Sequence, residues 1–350
     1  MMAHRDLAVD ALSDAPPLGR RLMQAVDRTA EGLIVVALLA ELAMVLANVV
    51  ARAIFHHSFL WSDEVARMSL SILASIGGAV AYRRREHAFV RLVVGLFPAR
   101  GERACLALSD VVVFFVAGLA ALASFDFITA NASELTPILQ VPAWILALPL
   151  PAGLVLIMVY AAINLRREHG RIAIPVGIGF AAFIAVLVLT RDVWLPWLGD
   201  DAAIIAALTL FFVAILGGVP VGFVLLLSTA TYLWGANAAP LVVLPQTMLH
   251  GIGNFILLAV PFFILAGLVM ERGGISVRLV RLIHALVGHT RGGLLQVTVG
   301  SMYVVSGLSG SKPADVAAVG TVMRDELRER HGAAEGAAVL AASAVMGETV

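Results

Sequence analysis

The chain is poor in charge. Only 14% of its 350 residues are Asp, Glu, Lys or Arg, against about 25% in a soluble globular domain, while 60% are hydrophobic and the mean hydropathy is +0.94. A single water-soluble globule is thereby excluded. The few charges balance, 24 basic against 24 acidic, so there is no basic stripe with which to grip nucleic acid. The single cysteine, Cys105, excludes an intrachain disulfide. The apolar runs far exceed the roughly ten alternating residues of a barrel strand. What remains is an all-α polytopic membrane protein.

A helix needs about 20 apolar residues to cross about 30 Å of hydrocarbon. Such runs occupy 31–52, 65–82, 104–127, 142–165 and 172–190, each bounded by charge, proline or aromatic residues. Residues 202–234 are too long for one crossing. Gly217, Gly218, Pro220 and Gly222 divide them, so two short crossings are expected, then another at 252–270, about eight in all. Residues 1–30 are polar and lack the apolar core of a cleaved signal. Basic loops recur at every second crossing: Arg20, Arg21 and Arg28, then Arg83 to Arg103, then Arg166, Arg167 and Arg171. The excess of Arg on alternate loops puts the N-terminus in the cytoplasm.

Residues 275–290 carry Ile275, Leu279, Leu282, Ile283 and Leu286 at helical spacing, with Arg278, Arg281 and His284 between them. That is an amphipathic helix suited to lying on membrane lipid. Next come two short apolar pieces, 292–305 and 313–323, flanking Ser306-Gly307-Leu308-Ser309-Gly310-Ser311-Lys312. Neither piece is long enough to span, and basic residues stand at both ends (Arg291, then Arg324, Arg328 and Arg330). A re-entrant helical hairpin over 292–327, entering and leaving on one side, satisfies both facts. Irregular backbone at that depth is tolerated only where it is buried in protein or lines a watery cavity. Freed carbonyls and Ser hydroxyls there suit a small hard cation. The N–H groups of the second half-helix, opened by Pro313, suit a carboxylate. Broken half-helices of this kind recur at the binding sites of secondary transporters. Asp315 is either a first-turn acid complementing the helix dipole or a cation ligand. Lys312 neutralises it or meets an anionic substrate.

Glu41, Asn48, Asp110 and Asp126 are further polar residues in or near spans, read as contacts between helices or groups at the interface; Pro261 is read as a kink. Gly307-Leu308-Ser309-Gly310 also spells the GxSG of intramembrane serine proteases, but all nine histidines fall in predicted loops or at the interface, away from a base's position beside Ser309. A non-transporting membrane scaffold is the other alternative, since residues 1–170 alone contain no convincing site.

With these motifs in place the chain resembles the tripartite ATP-independent periplasmic (TRAP) transporters, as a fusion of their small and large membrane subunits. Trp61-Ser62-Asp63-Glu64 with Arg67, Gly77-Gly78 and Glu86-His87 match the small subunit. Residues 257–267, Met270, Gly273-Gly274-Ile275, Arg278-Leu279, Gly288, Gly292-Gly293, Ser309-Gly310-Ser311, Ala314-Asp315 and Ala317-Ala318 match the large one. The resemblance implies four parts: a polar cytoplasmic segment at 1–30, a four-helix scaffold at 31–170, a linking helix and periplasmic loop at 171–200, and the first part of a transport domain at 201–350. It further implies a bacterial inner-membrane, sodium-coupled, elevator-type importer of organic acids, not an enzyme, with Na+ as coupling ion and no other cofactor. Its partner would be a periplasmic substrate-binding protein. By resemblance the site residues are Ser306, Gly307, Ser309, Gly310, Ser311 and Asp315, with Gly347 and Thr349 approaching from the next segment; Ser309, Ser311 and Asp315 are the sodium candidates. Relatives continue past Val350 into a second repeat, so the expectation is a fragment unable to transport alone.

Overall fold

The computed structural model describes residues 17–90, 93–191, 193, 201–309 and 312–347. Among these residues its regular structure is all helix, apart from an isolated bridge between Leu135 and Pro142. The chain divides into two compact units, Met1–Leu257 and Leu258–Val350.

The first unit begins with a helical hairpin, α1 (Pro17–Phe55) and α2 (Ser62–Arg83). Ala30, Ile34, Ala37, Glu41 and Asn48 follow one another at spacings of three, four and seven along α1. This is the seam it turns to Ile72, Ile76 and Val80 of α2. At the tip of the hairpin Asn48 Oδ1 accepts the Phe59 N–H at 2.9 Å. After α3 (Ala99–Ala130), the short α4 (Ala143–Ala147) and α5 (Pro149–Asn164) form one apolar rod. A π-helical turn, Leu165–His169, leads into α6 (Gly170–Leu189). The core joins Val112, Val113, Val116, Ala117 and Ala120 of α3 to Leu150, Leu154 and Ile157 of α5. Small residues let helix backbones approach closely where lipid supplies no hydrophobic drive. Gly153 is the extreme case, since a Cβ there would lie 2.4 Å from the Ser75 carbonyl oxygen of α2.

Residues 202–236 fold as two helices, α7 (Ala202–Leu216) and α8 (Val221–Ala236), broken at Gly217–Pro220. Gly218 takes φ +81°. A Cβ on Gly235 would lie 3.2 Å from the Ala203 Cβ, so the end of α8 returns beside the start of α7. The pair is antiparallel, and a single kinked crossing is ruled out. The span expected at 252–270 is interrupted instead. α9 (Val243–Ile252) ends at Gly253, α10 (Phe255–Leu258) is one turn, and α11 (Val260–Arg272) follows. The cause is local. Asn254 Oδ1 accepts the Ile256 N–H at 3.1 Å, an N-cap that starts a new helix. Pro261, read as a kink, sits in the first turn of α11, where its missing N–H costs nothing.

Among the described residues, five helices are long and apolar enough to cross a membrane: Met23–Phe55, Ser62–Arg83, Ala99–Ala130, Ala143–Arg167 and Ile172–Leu189. The broken stretch through α9 and α11 makes a sixth candidate, and α7 and α8 are shorter apolar helices. The protein is therefore an all-α polytopic membrane protein.

The second unit is built from α11, α12 (Ile275–Val287), α13 (Gly293–Ser309), α14 (Lys312–His331) and α15 (Ala333–Gly347). Its core is Val280, Leu294, Val297, Met302, Val305, Val319, Met323, Leu327, Leu340 and Ala344. Helix α12 divides its apolar residues between two stripes. Val280, Ile283 and Val287 face this core, while Ile275, Leu282 and Leu286 form a separate stripe left exposed.

Candidate functional site

Helices α13 and α14 pack against each other and against α15. Gly292, at φ +73°, opens the turn into α13, and a Cβ on Gly293 would fall 2.7 Å from the Gly288 and Val287 carbonyl oxygens. His284 Nε2 and Glu326 Oε2 lie 3.4 Å apart. His284 stands just before the turn into α13, and Glu326 is about 21 Å along α14 from Lys312 at 1.5 Å per residue. The second helix therefore runs back to the level at which the first began. A Cβ on Gly336 would sit 3.2 Å from Leu327 Cβ, which sets α15 antiparallel to α14. Eleven residues further, Gly347 comes level with the first turn of α14.

The two hairpin helices are longer than their apolar pieces. α13 runs 17 residues and α14 runs 20, about 25 and 30 Å, because α13 continues where a loop was expected and α14 continues beyond its apolar piece to His331. Ser306, Gly307 and Ser309 form the last turn of α13, and Lys312 already begins α14. Continuing the helix keeps backbone groups paired where water is scarce, a gain that exceeds the weak helix preference of Ser and Gly. Charged residues from Arg324 onward fill the second half of α14. Ser306 is 7% exposed and Ser301 is fully buried, with its Oγ unpartnered. Gly307 is exposed. Asp315 lies in the first turn of α14 and Gly347 closes α15. Gly310, Ser311 and Thr349 lie outside the described residues, as do the side chains of Ser309, Lys312 and Asp315. The last-turn carbonyls of a helix have no partner along the helix itself, so residues 306–309 offer oxygens at the tip.

The polar residues of the first unit hold helices together. Asp110 accepts the Tyr82 hydroxyl at 2.6 Å and lies 3.1 Å from His169 Nε2, all three buried. Arg83 pairs with Asp27, which also accepts the Tyr160 hydroxyl at 2.9 Å. Glu64 accepts the Ile138 and Leu139 N–H groups at 2.9 and 3.0 Å, anchoring the loop after α3. This role, and that of Tyr82 and His169, was missed from sequence; an acid within the apolar run of the third span, Asp110, was the available sign. Asp126 is exposed. Glu41 is fully buried with neither carboxylate oxygen partnered. Between the spans, burial pushes the His87 imidazole below its ordinary pKa, opposed by a hydrogen bond with the Gly78 backbone. The junction to α8 is a pair of backbone-directed bonds, Val221 N–H to the Ala88 carbonyl at 3.1 Å and Ser109 Oγ to the Gly218 carbonyl at 3.3 Å.

Helical hairpins inserted in a multi-pass helical membrane protein recur in the class of secondary transporters. Residues 41–171 match the DctQ component of the tripartite ATP-independent periplasmic transporters, and residues 208–350 match the DctM component. The chain belongs to the TRAP transporter permease family, with small- and large-subunit components in one polypeptide. It is 28% identical to the sialic acid TRAP transporter permease protein SiaT of Haemophilus influenzae over 83% of this chain and 49% of that protein. It is 28% identical to the isethionate TRAP transporter permease protein DctMQ of Oleidesulfovibrio alaskensis over 77% of this chain and 42% of that protein. Against the 2,3-diketo-L-gulonate TRAP transporter large permease protein YiaN of Escherichia coli, identity is 38% over 39% of this chain and 33% of that protein. The chain thus spans about half the length of the fused relatives it matches. The family consists of transporters rather than enzymes, which removes the protease alternative.

Proposed function

We propose that the chain forms part of a sodium-coupled importer of organic acids in a bacterial inner membrane, receiving its solute from a periplasmic binding protein. The observation that carries this reading is the α13–α14 hairpin, whose ends lie level while its tip presents the carbonyls of Ser306, Gly307 and Ser309. Those oxygens suit Na+, and the opposed N-terminus of α14 suits a carboxylate. Asp315 is the nearest acid in sequence to the tip and supplies a cation ligand. The N-terminus is cytoplasmic, on the strength of the alternating Arg loops. The exposed stripe of Ile275, Leu282 and Leu286, flanked by Arg278 and Arg281, rests on lipid at that face. In an elevator cycle the second unit is the moving body and the first unit, with its scaffold helices, the fixed one. The division of the chain at Leu257, beside the helix breaks at Gly253 and Ala259, supports that assignment.

The test is uptake of an organic acid into proteoliposomes, with the binding protein present and the sodium concentration varied. Asp315→Asn should weaken sodium activation by more than tenfold while leaving protein yield intact; an unaltered sodium response refutes the ligand role. Cysteines placed at Arg291 and Arg324 should be labelled from the same side of the membrane, and labelling from opposite sides would remove the hairpin on which the reading rests.

A further inference from the structure

The sequence pattern from Trp61 to Arg67 is only partly used by the contacts described. Ser62 Oγ bonds the Phe59 carbonyl at 2.6 Å, and Glu64 anchors the loop after α3. Arg67, whose charge also favours the ionised Glu64, borders a cavity of about 340 Å³ that lies wholly in the first unit. The walls are α2, the end of α3, the loop and short helix that follow, and the end of α9. The Arg67 stem passes 3.9 Å from where a Cβ on Gly253 would stand. This volume is at the lower end of the range for small-molecule sites, roughly 300–1,000 Å³.

The lining has an unused donor set. Ser71 is 3% exposed, borders the cavity, and its Oγ has no partner. A buried helical serine ordinarily returns its hydroxyl to the carbonyl four residues back, as Ser124 does to Ala120 at 2.6 Å; Ser71 does not. Asn254 has its carboxamide oxygen occupied by the Ile256 N–H, so its NH2 remains to be offered. Together with Arg67 and His250 these groups favour an acid. Asn131 gives its NH2 to the Phe127 carbonyl at 2.8 Å, which leaves its oxygen as an acceptor. With Glu134 it favours a hydroxyl or ammonium. Phe127, Trp144 and Leu249 add an apolar wall.

We infer that this cavity binds an organic anion that also carries a hydrogen-bond donor and an apolar part. The acid meets Arg67 and His250, its hydroxyl or ammonium meets Glu134 and Asn131, and its apolar portion lies along Trp144 and Leu249. A free hydroxy acid and the head group of a phospholipid such as phosphatidylethanolamine share this chemistry. The inference does not depend on the hairpin reading, because no residue of 292–327 takes part.

The test uses the purified protein in detergent, delipidated, with two probes. One arm titrates 3-phenyllactate and follows tryptophan fluorescence, with Trp144→Phe identifying the reporter. The other adds phosphatidylethanolamine and counts retained lipid by native mass spectrometry. Saturable binding in either arm is expected, and the arm that responds names the source. Arg67→Gln and Ser71→Leu should each weaken that binding by at least about tenfold, whereas His56→Gln, remote in the α1–α2 turn, should not. Because Arg67 is exposed, Arg67→Gln should keep the parent melting temperature, so its result stands even where Ser71→Leu misfolds. Binding of neither probe, or binding undiminished in Arg67→Gln, overturns the inference.

Discussion

Gly153→Ala should be one of the most damaging single-methyl changes in the protein. The added Cβ would meet Ser75 O at 2.4 Å, Ser75 C at 2.6 Å and Ser75 Cβ at 2.9 Å. Ordinary contact distances are about 3.5 Å or more, so α5 must retreat from α2 by roughly 1 Å along a well-packed face. Overpacking of this kind costs about 1–3 kcal/mol. Two of the three clashing atoms are backbone, so Ser75→Gly removes only the mildest contact and should restore little. Gly77→Ala supplies the matched control. It sits on α2, the helix that Gly153 meets, and a Cβ there meets nothing within 4 Å. Relief of glycine's backbone entropy should make that change neutral or stabilising by up to about 1 kcal/mol. Thermal unfolding in detergent, read by size-exclusion chromatography after heating, gives both values. A melting temperature for Gly153→Ala equal to that of the parent would show that α2 and α5 do not approach as described. So would full rescue by Ser75→Gly, because it would place the clash on the side chain.

Three further outcomes follow from the polar contacts. Asp110→Asn should destabilise the first unit by about 1–3 kcal/mol, since it weakens the acceptor of two buried partners; a double-mutant cycle with His169→Ala should show coupling, and strict additivity would deny the contact. Glu64→Gln should leave α2 intact but speed hydrogen exchange at the Ile138 and Leu139 amides, and unchanged exchange there would mean that the carboxylate does not hold the loop. His87 has a folded pKa below its unfolded value of about 6.5, so the unfolded chain takes up a proton first as pH falls. Its contribution is present above that value and lost as pH drops below it. The melting temperature of the parent should therefore fall relative to His87→Gln between pH 7 and pH 5.5, and parallel curves would contradict the burial.

What the sequence disclosed, and what it withheld, follows from the range of the interactions involved. Five long spans were legible because crossing hydrocarbon is a requirement each helix meets by itself, in composition and length. The break at Gly217–Pro220 was legible too, since Pro220 lacks an N–H and Gly218 needs φ +81°. The interruption at Gly253–Asn254 was harder to see, because it turns on one side-chain cap to Ile256 rather than on hydropathy. Helix α12 hid two apolar stripes, twisted about 100° per residue into what reads as one broad face. Only the packing of Val280, Ile283 and Val287 against α13 and α14 separates them.

The hairpin tip shows the same division between local and distant causes. Glycine and serine at 306–309 read locally as a loop, yet they form the last turn of α13. Propensities measured in water understate how strongly an environment short of water favours paired backbone. The consequence for function is specific. A loop would scatter its carbonyls, whereas a helix end aligns the last few along one axis, so the oxygens near Ser306 and Ser309 share a direction out past the tip, beside the start of α14. An ion held there would experience the negative end of one helix, and a carboxylate the positive end of the other. Two such ligands would occupy adjacent positions and stabilise each other. In that arrangement Asp315, in the first turn of α14, would add its carboxylate to the ligands of the cation. With the aligned carbonyls still in place, Asp315→Asn should on the proposed reading give a graded loss of sodium activation rather than abolition of binding.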